Sequence, residues 1–144
     1  MATRTANAKW EGKLQEGSGE MALGSGAFRG PFTFKSRFAD GEGTNPEELL
    51  GAAYAGCFSM ALSLALEQAG HEPESVETTA EVHLNPADGG GFEIGRIELA
   101  TRGRVPGVEA QEFTRLAEET KAGCIVAKAL AAVPEVNLDA ALIA

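Results

Sequence analysis

Two cysteines, Cys57 and Cys124, carry the widest chemical range in this 144-residue chain and stand 67 positions apart. A thiolate is a nucleophile, a metal ligand and a redox centre. Two thiols are too few for a four-thiolate zinc site or a disulfide-dense scaffold. The two histidines, His71 and His83, are too few for a multi-imidazole metal site. Neither has a cysteine or carboxylate at ligand or triad spacing, so both read as surface residues, and no base for a cysteine hydrolase is evident. The GSG repeats at Gly17–Gly19 and Gly24–Gly26 lack the GK[ST] ending of a phosphate loop and read as hairpin turns. By position alone each cysteine is open to two readings, a small apolar packing residue or a reactive thiol. Two features favour reactivity. Cys124 falls at a helix start, where backbone N–H groups stabilise a thiolate. Both cysteines also fall in structured segments, which invites a peroxidatic and resolving pair.

Composition narrows the context. Apolar residues make up 44% of the chain and charged ones 23%, the balance of a globular protein of one domain. With 21 acidic against 12 basic residues, the net charge of −9 repels phosphate backbones and anionic lipid, so neither nucleic acid nor membrane is an expected partner. The opening residues MATRTANAKWEG hold no apolar run of a secretory signal, so a thiol-reducing cytoplasmic location is the expectation.

The element that must position Cys57 is GTNPEELLGAAYAGCFSMALSLALEQAG, residues 43 to 70. Asn45 suits an N-cap, Pro46 the first helical position, Glu48 a capping box and Gly70 the stop. This predicts a helix of about two dozen residues, roughly 35 Å long. From Leu49 to Leu66 it carries no charge. Gly51, Gly56, Ser59, Ser63 and Tyr54 dilute the run, and glutamates rather than Lys or Arg flank it, which argues against a membrane span. A helix apolar on every face is buried on every face, and a chain this short has too little material to wrap one. A dimer in which two such helices pack through their Gly and Ala residues meets the demand.

Around that helix, residues 8 to 38 read as short strands cut by glycine turns, with Arg37 in the strand before the helix. Val76, Thr78, Ala80, Val82 and Leu84 alternate on one face of a strand, and a phase slip at Gly95 or Arg96 suggests a bulge in the next. Phe113, Leu116, Ala117 and Thr120 form the stripe of a helix ended by Gly123. Cys124 opens a further short helix, CIVAKALAAV, stopped by Pro134, and a last strand alternates Val136, Leu138, Ala140 and Leu142. The order β-β-β-α-β-β-α-α-β predicts an α+β fold with antiparallel sheet at both ends.

The stretch GTNPEELLGAAYAGCFSMALS, with SerArgPhe upstream and LysAlaGlyCys downstream, resembles the OsmC/Ohr family of thiol-dependent peroxidases, on its OsmC branch. The resemblance runs from TrpGluGly at residues 10 to 12 to the terminal ValAsnLeuAsp, and so implies one OsmC-like domain over residues 1 to 144. It implies an OsmC-like fold of antiparallel sheets around a long buried central helix, in an intertwined homodimer. It implies reduction of organic hydroperoxides with no metal, haem or flavin, the oxidised thiols being restored by an external dithiol, such as one of lipoyl type. Cys57 matches the peroxidatic cysteine, Cys124 the resolving one, Arg37 the active-site arginine and Glu47 its carboxylate partner. Ile125 stands after Cys124 where the family commonly has proline, and Gly56 stands before Cys57 where alanine is common.

Physical chemistry supports those roles. A free thiol is only a few per cent ionised at neutral pH, and apolar surroundings suppress the thiolate further, so a cation beside the nucleophile is required. Arginine stays charged, its forked donors suit both a thiolate and a departing peroxide oxygen, and a bidentate glutamate would hold it in place. Glu47 and Cys57 lie ten residues apart, roughly 15 Å along an unbroken helix. If both serve one site, a partner chain brings Glu47, with Arg37, to Cys57. The other readings are a structural or binding dimer with packing thiols and a redox sensor on the same fold.

Overall fold

The computed structural model describes residues 1–144, which divide into two compact units, 1–49 and 50–144. In the first, β1 (Ala6–Glu11), β2 (Ser18–Leu23) and β3 (Arg29–Phe32) form an antiparallel sheet in that order. Gly26, at a φ of +80°, makes the β2–β3 turn expected of it. Gly19 has a different task. It lies within β2 under the Trp10 and Phe32 rings, whose centroids are 5.2 Å apart, and a Cβ there would stand 2.7 Å from Phe32 and 2.8 Å from Trp10.

After β3 the strand expected to carry Arg37 is replaced by a short helix, α1 (Phe34–Phe38). The reason is a capping box: Thr33 Oγ1 accepts from the Ser36 N–H at 3.1 Å and the Thr33 N–H donates to Ser36 Oγ at 2.8 Å. The Ser36 hydroxyl also donates to the Thr44 carbonyl, and Asn45 Nδ2 to the Ser36 carbonyl. These bonds tie α1 to the entry of the long helix.

That helix, α2, is continuous from Pro46 to Gln68. Asn45 Oδ1 accepts from the Glu48 N–H at 2.8 Å, the N-cap its type predicts. The Glu48 carboxylate takes the Thr44 hydroxyl at 2.6 Å instead of closing a capping box. Gly70, at a φ of +90°, stops the helix, and the His71 N–H bonds back to the Leu66 carbonyl.

In the second unit, β4 (Ser75–Pro86), β5 (Phe92–Arg104) and β6 (Glu135–Leu142) form a sheet in that order. Leu84 faces Ile94 and His83 faces Arg96, so Gly95 is the extra residue of the bulge. One expectation fails here: β6 runs parallel to β5, so this sheet is mixed rather than antiparallel. The connection explains it. Helices α3 (Ala110–Gly123) and α4 (Ile125–Ala129) carry the chain back across the sheet to its starting end, and such a crossover permits a parallel return. Helix α4 is also shorter than the ten-residue segment expected.

One face of this sheet meets α2 and α3. Tyr54, Phe58, Leu62 and Leu66, four residues apart along α2, are buried with Ile97 and Leu99 of β5 and Phe113, Leu116 and Ala117 of α3. Gly51 lets α2 lie against Ala80 and Val82, where a Cβ would come within 3.3 Å of Val82. The opposite side of α2 is bare: Met60 is 77% and Leu64 53% exposed, beside exposed Ala53 and Gly56. The helix expected to be buried all round is therefore covered on one side within the chain. By length and composition it meets the test for a membrane-crossing helix, but its buried side carries the core of a mixed sheet-and-helix unit.

Gly103 of β5 lies under the fully buried Phe113 ring, where an added methyl would stand 2.5 Å from Cε2. The ring has no room to yield, so Gly103→Ala is expected to lower urea stability by about 1–3 kcal/mol, with Phe113→Leu relieving part of the strain in a double-mutant cycle.

Candidate active site

The candidate residues fall into two pairs, one in each unit. In the first, Arg37 of α1 and Glu47 of α2 form a forked ion pair: Arg37 Nη2 donates to Oε1 at 2.8 Å and Nε donates to Oε1 at 3.0 Å and Oε2 at 3.3 Å. Glu47 is buried while the arginine side chain is 40% exposed, so the carboxylate is spent on holding a cation that keeps an open side. The Phe38 ring supports the guanidinium at 5.2 Å from its centroid. Local bonding sets this geometry, because the α1 capping box aims Arg37 and the Asn45 cap starts α2 at the turn that holds Glu47.

The second pair is Cys57, half-buried on α2, and Cys124, 3% exposed at the junction of α3 and α4. Cys124 sits in extended conformation between two helices, with φ −70° and ψ 154°. Its N–H donates to the Thr120 carbonyl, closing α3. Its sulfur accepts from the Ala127 N–H at 3.4 Å and so caps α4. The helix start read from sequence is thus a thiol N-cap. The two thiols are neighbours and are not joined by a disulfide bond. Burial pushes the Cys124 thiol above its ordinary value; the Ala127 N–H pulls partly back, and the adjacent Cys57 adds to the rise.

Tyr54, one turn before Cys57 on α2, completes this cluster and was not singled out by sequence. It is 2% exposed, and its hydroxyl donates to the Lys121 carbonyl at 2.8 Å. Burial first, and then the two thiols beside it, push its phenol up to about 12. The ring also walls an apolar pocket of about 340 Å³ with Ala127, Leu130, Val133 and Val136, rimmed by Lys121 and Lys128. Its i−3 spacing from Cys57 was the available signal.

The histidines have carboxylate partners that spacing along the chain does not show. His71 Nε2 lies 3.3 Å from Glu112 of α3. On the outer face of the β4–β5 pair, Glu81 stands directly across from Glu98 and His83 from Arg96. A diagonal His83 Nε2–Glu98 Oε2 bond at 3.0 Å gives Glu98 a partner beside the like-signed Glu81, and it holds the Glu98 carboxyl below its usual range. Glu81, His83 and Glu98 bring three donor atoms within 4.8 Å of one another, a set within reach of one ion. Those donors are already engaged with each other and with Arg96, whose Nη2 lies 3.4 Å from His83 Nδ1.

Comparison with known proteins sets this geometry in context. Residues 39–139 match the family model described as OsmC-like protein. The chain is 45% identical over 137 residues to Peroxiredoxin OsmC of Escherichia coli K12, covering 94% of each. It is 36% identical over 100 residues to the organic hydroperoxide resistance protein OhrA of Bacillus subtilis 168, covering 68% of this chain and 67% of that one. Its fold superposes on the crystal structure of OhrB of Bacillus subtilis with a TM-score of 0.72 at 24% identity, over 96% and 98% of the two chains.

Because folding holds the Cys124 and Tyr54 protons more tightly than the unfolded chain does, that advantage is complete at neutral pH and lost as pH rises. Urea midpoints are expected to fall above the ordinary thiol pKa of about 8.5 and again above about 10, where an unfolded tyrosine ionises. Cys124→Ala should flatten the first fall and leave the second.

Proposed function

From the premise that this chain belongs to the OsmC-like family, we propose that it is a single-domain, cysteine-based peroxidase that reduces organic hydroperoxides to alcohols. The observation that carries the reading is the pair of neighbouring thiols, Cys57 half-buried on an apolar helix and Cys124 at a helix start. The names of its relatives, a peroxiredoxin and organic hydroperoxide resistance proteins, supply the reaction class.

The cycle balances without an electron carrier in the protein. The Cys57 thiolate attacks one oxygen of the O–O bond; the bond breaks, the alkoxide leaves and takes a proton as alcohol, and Cys57 becomes a sulfenic acid. The Cys124 sulfur then attacks the sulfenic sulfur, forming the disulfide and expelling water. An external dithiol, of lipoyl type or similar, reduces that disulfide by two exchange steps and leaves as its own disulfide.

Arg37 is the cation that favours the thiolate and accepts negative charge on the departing oxygen, and Glu47 holds its fork in place. Glu47 and Cys57 lie ten residues apart on the continuous α2, about 15 Å by helical rise, so Arg37 and Glu47 serve the Cys57 of a partner chain. The bare face of α2, with Ala53, Gly56, Met60 and Leu64, is the surface on which the two chains of a homodimer pair. Apolar residues near Cys57 favour an alkyl peroxide over hydrogen peroxide, and the cytoplasm supplies the reduced thiols.

Three measurements test this. With an alkyl hydroperoxide and dihydrolipoamide, the chain should release alcohol over many turnovers; Cys57→Ser should abolish release, and equal activity in that variant overturns the reading. A single turnover without continued release identifies a sensor. Glu47→Gln should slow Cys57 oxidation by about tenfold to a hundredfold through loss of the held guanidinium, read by stopped-flow mixing. Met60→Glu should convert the dimer to folded monomer by analytical ultracentrifugation with loss of turnover, and an unchanged dimer refutes pairing through this face.

A further inference from the structure

We infer that Tyr54 is a positioning residue whose hydroxyl, by donating to the Lys121 carbonyl, holds the end of α3 so that Cys124 stays against Cys57. Its part in turnover rests on the peroxidase reading above; the geometry does not.

Three observations converge on it. The bond is 2.8 Å long and joins residues 67 apart in sequence, with the ring 2% exposed. Its donor lies one helical turn before Cys57, on the same side of α2. Its acceptor lies three residues before Cys124 and is among the last carbonyls of α3, which have no partner within the helix. One hydroxyl thus connects the element carrying one thiol to the element carrying the other. Cys124 otherwise sits at a break between two helices, tied locally by its N–H to Thr120 and by its sulfur to Ala127. Those two ties shape the junction, and neither reaches α2. A disulfide closes only when the two Cα atoms come within about 7 Å, so small displacement of the α3 end carries a large penalty in rate. Without the hydroxyl, the Lys121 carbonyl beside the apolar pocket of Leu130 and Val133 has lost its buried partner.

The step affected is the second. A Cys57 sulfenic acid and the Cys124 thiol condense to the disulfide, the sulfenic hydroxyl and the thiol proton leaving together as water. Its competitor is a second peroxide molecule, which converts the waiting sulfenic acid to a sulfinic acid and is itself reduced to alcohol. A chain that closes slowly is therefore overoxidised sooner.

The test is Tyr54→Phe in the full chain, with folding followed by circular dichroism. Oxidation of Cys57 by an alkyl hydroperoxide should proceed within twofold of the unmodified rate. Disulfide closure should slow about tenfold, and mass spectrometry should find two added oxygens on Cys57 at proportionally lower peroxide. Placing 4-aminophenylalanine at position 54, which restores an N–H donor, should recover closure. In dithiothreitol redox buffers, with no peroxide present, Tyr54→Phe should also weaken the Cys57–Cys124 disulfide about tenfold. Unchanged closure and an unchanged redox equilibrium overturn the inference. So does a variant that loses its secondary structure, since the bond would then hold the fold as a whole. If the unmodified chain does not react with peroxide, the peroxidase reading fails by itself, and the redox equilibrium still decides the role of Tyr54.

Discussion

An eighteen-residue helical run without a charge, in a chain of 144 residues, is the constraint from which the other features follow. Such a helix has to be shielded from water on every face. One side is covered from within: the stripe of Tyr54, Phe58, Leu62 and Leu66 lies against β5 and α3. The other side, with Met60 and Leu64, has no cover in the chain itself. Cys57 stands at the margin between the two, half-buried.

The polar groups near this helix are handled by strict pairing. Glu47 is buried with its carboxylate engaged by the Arg37 fork, and the guanidinium keeps an exposed side. A buried carboxylate without that partner would be costly, so the pair is a packing requirement as much as a chemical device. Cys124 follows the same rule. Its sulfur is the N-cap of α4 and its N–H closes α3, so the residue proposed to resolve the sulfenic acid also joins two helices.

Much of the local structure was legible in the chain. Asn45 and Gly70 mark the ends of α2 because cap and stop chemistry depends on nearest neighbours. The stripe of α3 and the slip at Gly95 could be read from periodicity for the same reason. Where the reading failed, a longer-range effect prevailed. The glycine-cut pattern of residues 8 to 38 predicts a strand at Arg37, whereas the reciprocal Thr33–Ser36 box turns that segment into a helix. Turn chemistry predicts Gly19 in a hairpin, whereas it lies within β2 and two rings press on it. The direction of β6 is not legible in its own residues, because α3 and α4 set the path of return and strand sequence carries no sign of parallel or antiparallel pairing.

By itself the sequence determined the types of element and their ends, the apolar character of α2, the presence of two thiols and the family motif around the first. Each rests on interactions within a few residues or on composition, and these survive without a fold. Tertiary structure alone decided that Cys124 neighbours Cys57, that Tyr54 reaches the end of α3 and that His83 meets Glu98. Those contacts depend on strand register and on how helices dock over a sheet, and the summed packing of the core sets both; no spacing along the chain encodes them.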